Sequence, residues 1–158
     1  MSDRKTTCCF TGHRPAKLPW GTDEGNVRCV ALKARIRAAA ESAILEGIEH
    51  FICGMAEGCD QYFCEIVLEL KECYPHITME AALPCPTQAD RWSEASRARY
   101  QSLLSRCDLE TMVSETYSPG CMQRRNRYMV DHASLLIAVF DGNGYIVSWC
   151  FGHLAEFS

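Results

Sequence analysis

The sequence has no apolar run approaching the ~18 residues that a membrane-crossing helix needs, so no membrane partner is expected. Positive charge is also short. The 16 Lys and Arg stand against 20 Asp and Glu, and a formal net charge of −4 argues against broad electrostatic attachment to DNA. The standard phosphate fingerprints are missing: there is neither Gly-x-Gly-x-x-Gly nor a Walker loop ending in Gly-Lys-Ser/Thr. No Gly-x-Ser-x-Gly elbow, Ser-His-Asp order or evident carboxylate dyad marks a hydrolase. No Cys-x-x-Cys pair and no His at finger spacing support zinc, and no metal or cofactor is expected. Met1 to Lys5 is polar and runs straight into a strand pattern, so no signal peptide is expected and the cytoplasm is the expected location.

What is present is the composition of one globular domain. The chain has 158 residues, 47% apolar and 23% charged, which suits a single domain over 1–158 with no need of disulfides. Cysteine is abundant, at an odd count of 11. Cys8, Cys9, Cys53 and Cys64 fall inside apolar runs, where cysteine behaves as a small hydrophobe, so reduced and packed thiols are expected.

Short apolar runs alternate with helical patterns. Thr6 to Thr11 reads as a buried strand ending at Gly12. Asn26 is placed to cap a helix reaching about Glu46, with Val27, Val30, Ala34, Ala38, Leu45 and Ile48 near one face and Gly47 as its stop. Phe51 to Cys53 is a second strand. An amphipathic helix follows, carrying Phe63, Ile66, Val67, Leu70 and Tyr74. Ile77 to Leu83 is a third strand, stopped by Pro84 and Pro86, and Thr87 to Arg106 reads as a polar helix. Leu109 to Val113, a helix over Met122 to Ala133 and the strand Leu135 to Phe140 complete the pattern. Continuously apolar strands alternating with helices predict a doubly wound, mostly parallel α/β sheet of about five strands, Rossmann-like, with helices on both faces. In such sheets the ligand crevice lies beyond the carboxyl ends of the strands.

The loops at those ends carry the candidate chemistry. Gly54, Met55, Ala56 and Gly58 form a strand-to-helix turn in which glycine permits close approach, and the free amides at a helix start attract an anion. Asp60 either caps that helix or accepts from a ribose hydroxyl. Gly12, His13 and Arg14 open a long connection. Arg14 offers a donor fork for phosphate or pairs with a surface carboxylate, and His13 is a donor or merely solvated. Asn126 falls on an apolar stripe with Met122, Met129, Val130 and Ala133, so it needs partners from the core or from a ligand. Arg124, Arg125 and Arg127 around it read as a wet face, and Trp92 as core packing or a base platform. Asp141 and Gly142 end the last strand, where a carboxylate suits a ribose or acid–base work.

Taken together, the segments form a recognisable set. Thr11-Gly12-His13-Arg14-Pro15, Gly54-Met55-Ala56-x-Gly58-x-Asp60, Pro84 with Gln88 and Trp92, Arg125-Asn126-x-x-Met129-Val130-Asp131, and Leu136 to Gly142 recur in that order in a known group. The chain resembles the YpsA-like (DUF1273) family of the SLOG superfamily, related to DprA and LOG-type proteins. The resemblance implies a Rossmann-like domain binding a nucleotide or nucleotide derivative at the strand ends. Some relatives in that superfamily are phosphoribohydrolases, and others, such as DprA, bind DNA. After Asp141-Gly142 the family pattern continues with a Gly-Gly-Thr turn opening a helix, whereas this chain reads Asn143-Gly144-Tyr145, so the domain is expected to diverge or end short after 142. The expected function is a nucleotide-binding sensor or regulatory module, with an N-glycosidase acting on a nucleotide as the alternative. Self-association is left open.

Overall fold

Five of the apolar runs become parallel strands in a computed structural model that describes residues 3–140 and 145–150. The elements follow in the order β1 (Thr7–Thr11), α1 (Val27–Leu45), β2 (His50–Cys53), α2 (Cys59–Cys73), β3 (Thr78–Leu83), α3 (Glu94–Arg106), β4 (Leu109–Met112), α4 (Cys121–Asp131), β5 (Leu135–Phe140) and β6 (Tyr145–Cys150). Spatially the sheet runs β4-β3-β2-β1-β5-β6. The first five strands are mutually parallel and β6 pairs antiparallel with β5. The chain leaves β1 in one direction through β2, β3 and β4, then returns to β5 on its other side. That reversal beside β1 is the topological switch point at which open α/β sheets form ligand crevices.

Strand periodicity divides the core between two faces. Cys8, Phe10, Phe51, Cys53, Met79, Ala81, Leu83 and Ile137 point to the face covered by α1, α2 and α3. Phe63 of α2 stacks on Phe10, with ring centroids 4.3 Å apart, and meets Phe51 edge-on at 5.8 Å. Cys9, Ile52, Ala82, Leu136 and Ala138 point the other way and are covered by Met129 and Ala133. A buried polar network joins this second layer. Glu80 receives hydrogen bonds from Tyr128 of α4 and, at 2.7 Å, from Thr111 of β4, and lies 2.7 Å from His50 Nε2 of β2. Burial opposes ionisation of Glu80, but the contacts from His50, Tyr128 and Thr111 outweigh it and hold the carboxyl below its ordinary range.

Local sequence explains most boundaries. The side chain of Asn26 accepts from Arg28 N at 2.9 Å and starts α1, and Gly47, at φ +111°, follows its end. Two readings are corrected. The buried face of α1 is Cys29, Leu32, Ile36, Ala40, Ala43 and Ile44, whereas Val27 is 78% exposed and Val30, Ala34, Ala38 and Leu45 also face outward. This helix is apolar or alanine-rich on both sides, so periodicity alone does not choose between them. The helix expected from Thr87 begins at Glu94, where Ser93 accepts from Ser96 N, and residues 87–92 are turns. The chain also adds an edge strand, β6, beyond the five strands that the apolar runs predict. The ten cysteines from Cys8 to Cys121 are free thiols, and eight of them are buried. Among the described residues no helix is long and apolar enough to cross a membrane.

Candidate functional site

The loop after β1 is locked onto the start of α2 through two glycines. A Cβ on Gly12 would lie 2.5 Å from that of Cys59, and one on Gly58 would lie 2.7 Å from the carbonyl oxygen of His13 and 3.1 Å from Cα of Arg14. Gly58 also sits at φ +89°, in the region glycine adopts at little cost. The His13 carbonyl accepts from Cys59 N at 3.1 Å, fixing the loop so that Arg14 stands at the carboxyl edge of the sheet. Arg14 Nη2 comes 3.9 Å from the sulfur of Met122 in α4.

The end of β2 supplies the second wall. Gly54 allows the guanidinium of Arg125 to lie against its backbone, and a Cβ there would fall on that group. Arg125 is 5% exposed; it donates to the Gly54 carbonyl at 2.7 Å and to Asn126 Oδ1 at 2.9 Å. Its Nη2 lies 3.7 Å from Met122 Sδ, so Arg14 and Arg125 both approach one sulfur. Met55, fully buried, sits at φ +60°, the single described non-glycine residue with positive φ. Such strain persists where packing over-determines it, and it gathers at ligand sites.

Asp60 completes the constellation. The cap of α2 is Gly58, so Asp60 lies inside the first turn and folds back to accept from Ala56 N at 3.1 Å. Burial pushes its carboxyl up to about 6, against the pull of Arg125, the Ala56 amide and Arg14. Burial likewise draws Arg125 below the usual arginine range, with Asp60 opposing. The amides of Ala56 and Cys59 are therefore both engaged within the protein, and the cationic pole is made by side chains more than by the backbone cradle the sequence suggested.

Gly12, His13, Arg14, Gly54, Met55, Ala56, Gly58 and Asp60 thus come together at one edge. Asn126 belongs to this group in another way than expected. It is exposed and holds Arg125, while the buried stripe of α4 is Cys121, Arg125 and Met129. Arg125 is the residue the sequence reading missed. The available signal was an arginine four residues from both a cysteine and a methionine on one helix face. Asp141 and Gly142 lie outside the described residues. Trp92 packs edge-on against Tyr100, with ring centroids 5.2 Å apart, as a core contact. Beside the arginines a cleft of about 490 Å³ opens between Cys85, Thr87 and Gln88 on one side and Tyr117, Cys121 and Met122 on the other. Among the described residues no cluster of His, Cys, Asp or Glu is arranged to hold a metal ion.

A family model described as the YspA SLOG family matches residues 8–145, which span β1 to the start of β6. The chain belongs to the YpsA SLOG family. Among its relatives, the uncharacterized SPbeta prophage-derived protein YoqJ of Bacillus subtilis (strain 168) is 34% identical over 131 residues, covering 75% of this chain and 77% of YoqJ. The UPF0398 protein BH1768 of Halalkalibacterium halodurans is 30% identical over 112 residues, covering 67% of this chain and 59% of that protein. A UPF0398 protein of Bacillus pumilus is 27% identical over 134 residues, covering 83% and 71%. The matched span of the YpsA SLOG model contains every described residue of the candidate site.

Proposed function

We propose that this YpsA SLOG protein binds a phosphorylated nucleoside or nucleotide derivative at the carboxyl edge of its sheet, as a sensing or regulatory module. The observation that carries this reading is the convergence of Arg14 and Arg125 on Met122 beside the switch point. A buried guanidinium without a bidentate carboxylate is costly unless an anion completes its surroundings. Arg125 spends one bond on the Gly54 carbonyl and one on Asn126, and Asp60 balances only part of the local charge. A phosphate meeting both arginines would complete the site, and membership of a SLOG family fits a nucleotide-related role. Binding should be measured by calorimetry with AMP and adenosine. Wild type is expected to bind AMP far more tightly than adenosine. Arg14→Ala, a change at an exposed side chain, is expected to weaken AMP by about tenfold or more with the fold intact. Equal affinity of both proteins for AMP would remove Arg14 from the site.

One observation favours hydrolysis as a second reading. A buried carboxyl held near 6 is matched to proton transfer at neutral pH, so Asp60 is suited to protonate a departing base in an N-glycosidase. Release of free adenine from AMP by wild type, and its loss in Asp60→Asn, would establish that activity.

A further inference from the structure

We propose that the cleft between residues 85–91 and 117–122 receives the nucleobase, with Tyr117 as stacking platform and Gln88 as reader, and that it selects bases carrying an exocyclic amine over those with a carbonyl at that position. The proposal rests on the nucleotide reading above and adds the identity of the base.

The cleft adjoins the cationic pole through Met122. Met122, the sulfur both arginines approach, is also one of its lining residues. A ligand whose phosphate lies on Arg14 and Arg125 therefore has this cleft directly beside it. Its volume, about 490 Å³, falls in the ~300–1,000 Å³ range of small-molecule sites. Its lining includes the buried thiols of Cys85 and Cys121 together with Met122, soft apolar groups suited to a flat ring, and Thr87, Asp90 and Arg91 add polar groups to it. At the rim Tyr117 leaves 68% of its surface exposed, a large aromatic side chain that the fold itself does not cover. Bases stack on such rings regardless of sequence, so Tyr117 supplies affinity and discrimination must come from an edge contact.

Gln88 provides that edge. Its Nε2 is 3.3 Å from the Gly54 carbonyl oxygen, which can only accept, and 3.5 Å from Tyr100 Oη, so the amide nitrogen is turned inward. Oε1 is left as a buried acceptor with no partner among the described residues. A buried acceptor is stabilised by any ligand that brings a donor and disfavours one that brings another oxygen. The 6-amino group of adenine is such a donor and the 6-oxo group of hypoxanthine is not. The same logic separates cytosine from uracil. Gly54 ties the two functions together, because its carbonyl accepts from both Arg125 and Gln88.

The test uses AMP, IMP and ribose 5-phosphate against the intact chain, with dissociation constants from calorimetry. Wild type is expected to bind AMP about tenfold or more tighter than IMP. Gln88→Met, of similar length but without the amide, should bring the AMP-to-IMP ratio close to one. Tyr117→Ala alters an exposed side chain and should weaken AMP and IMP several-fold while leaving ribose 5-phosphate unchanged. Equal binding of AMP and IMP by wild type, or an AMP affinity untouched by Tyr117→Ala, overturns the proposal. Ribose 5-phosphate binding without base discrimination sinks this inference alone. Failure of all three compounds to bind sinks the nucleotide reading with it.

Discussion

Asp60 is a carboxyl held out of water beside two guanidinium groups, and burial wins the contest, raising it from 3.8 to about 6. In the unfolded chain the same group loses its proton near 4. Between those values the native state keeps a proton that the unfolded state has released, so this group's contribution to stability falls as pH rises through the window. The gap is worth roughly 3 kcal/mol. Replacing it by Asn removes the titration with little change of shape. The stability of Asp60→Asn relative to wild type should therefore rise by about 2 kcal/mol between pH 4 and pH 7, read from urea unfolding at each pH. A flat difference would mean that the carboxyl does not titrate in that range. At this scale the glycines and Asp60 were legible because strand-to-helix turns advertise themselves. Arg125 was not, because on α4 the apolar stripe was drawn through Asn126, the next residue along the helix. One position is about 100° of helical rotation, enough to exchange the buried amide for a buried guanidinium.

Elements held by apolar contact alone can shift, and α4 has a second, polar tie. Its Tyr128 donates to Glu80 of β3, a carboxylate that is also bonded by Thr111 and His50. A hydrogen bond to a charged, buried acceptor contributes about 1.5–3 kcal/mol. Tyr128→Phe should cost about that much in urea unfolding at pH 7. Because the Glu80 carboxyl lies below its ordinary value of 4.5, its contribution is present above that pH and is lost as pH falls through the native value. The loss caused by Tyr128→Phe should accordingly shrink in acid, and a loss that stays constant down to the acid unfolding of the protein would place the effect elsewhere. The existence and order of the elements were legible from apolar periodicity, but the orientation of α1 and the start of α3 were not. In α1 alanine and aliphatic residues lie all round, so the neighbouring α2 decides which side is buried. Before α3, Trp92 and Ala89 pack as turn residues rather than as helix, a tertiary preference that no local pattern displays.

A sheet of five parallel strands carries all its carboxyl ends on one edge, which is why residues spread from Gly12 to Arg125 meet there. The parallel sheet was legible from continuously apolar strands separated by helices. The antiparallel β6 was not, since the family pattern after Asp141-Gly142 continues into a helix and this chain departs from that pattern. The net charge of −4 gives the whole molecule no general attraction for an anion, so affinity for a phosphorylated ligand must come from the two arginines at this edge. A ligand that binds only the native state stabilises it by about 2.7 kcal/mol at a hundred times its dissociation constant. For a chain of this length that corresponds to a rise in melting temperature of about 5–10 °C. AMP at saturating concentration should produce a rise of this order, and adenosine a much smaller one because it lacks the group the arginines hold. Equal shifts with AMP and adenosine would mean that the phosphate contributes nothing at this edge. Time separates binding from turnover. A module that only binds keeps its AMP-induced shift through prolonged incubation, with no free adenine formed. An N-glycosidase converts its ligand to ribose 5-phosphate and adenine, so the shift drifts toward that of the products as adenine accumulates, at a rate that falls in Asp60→Asn.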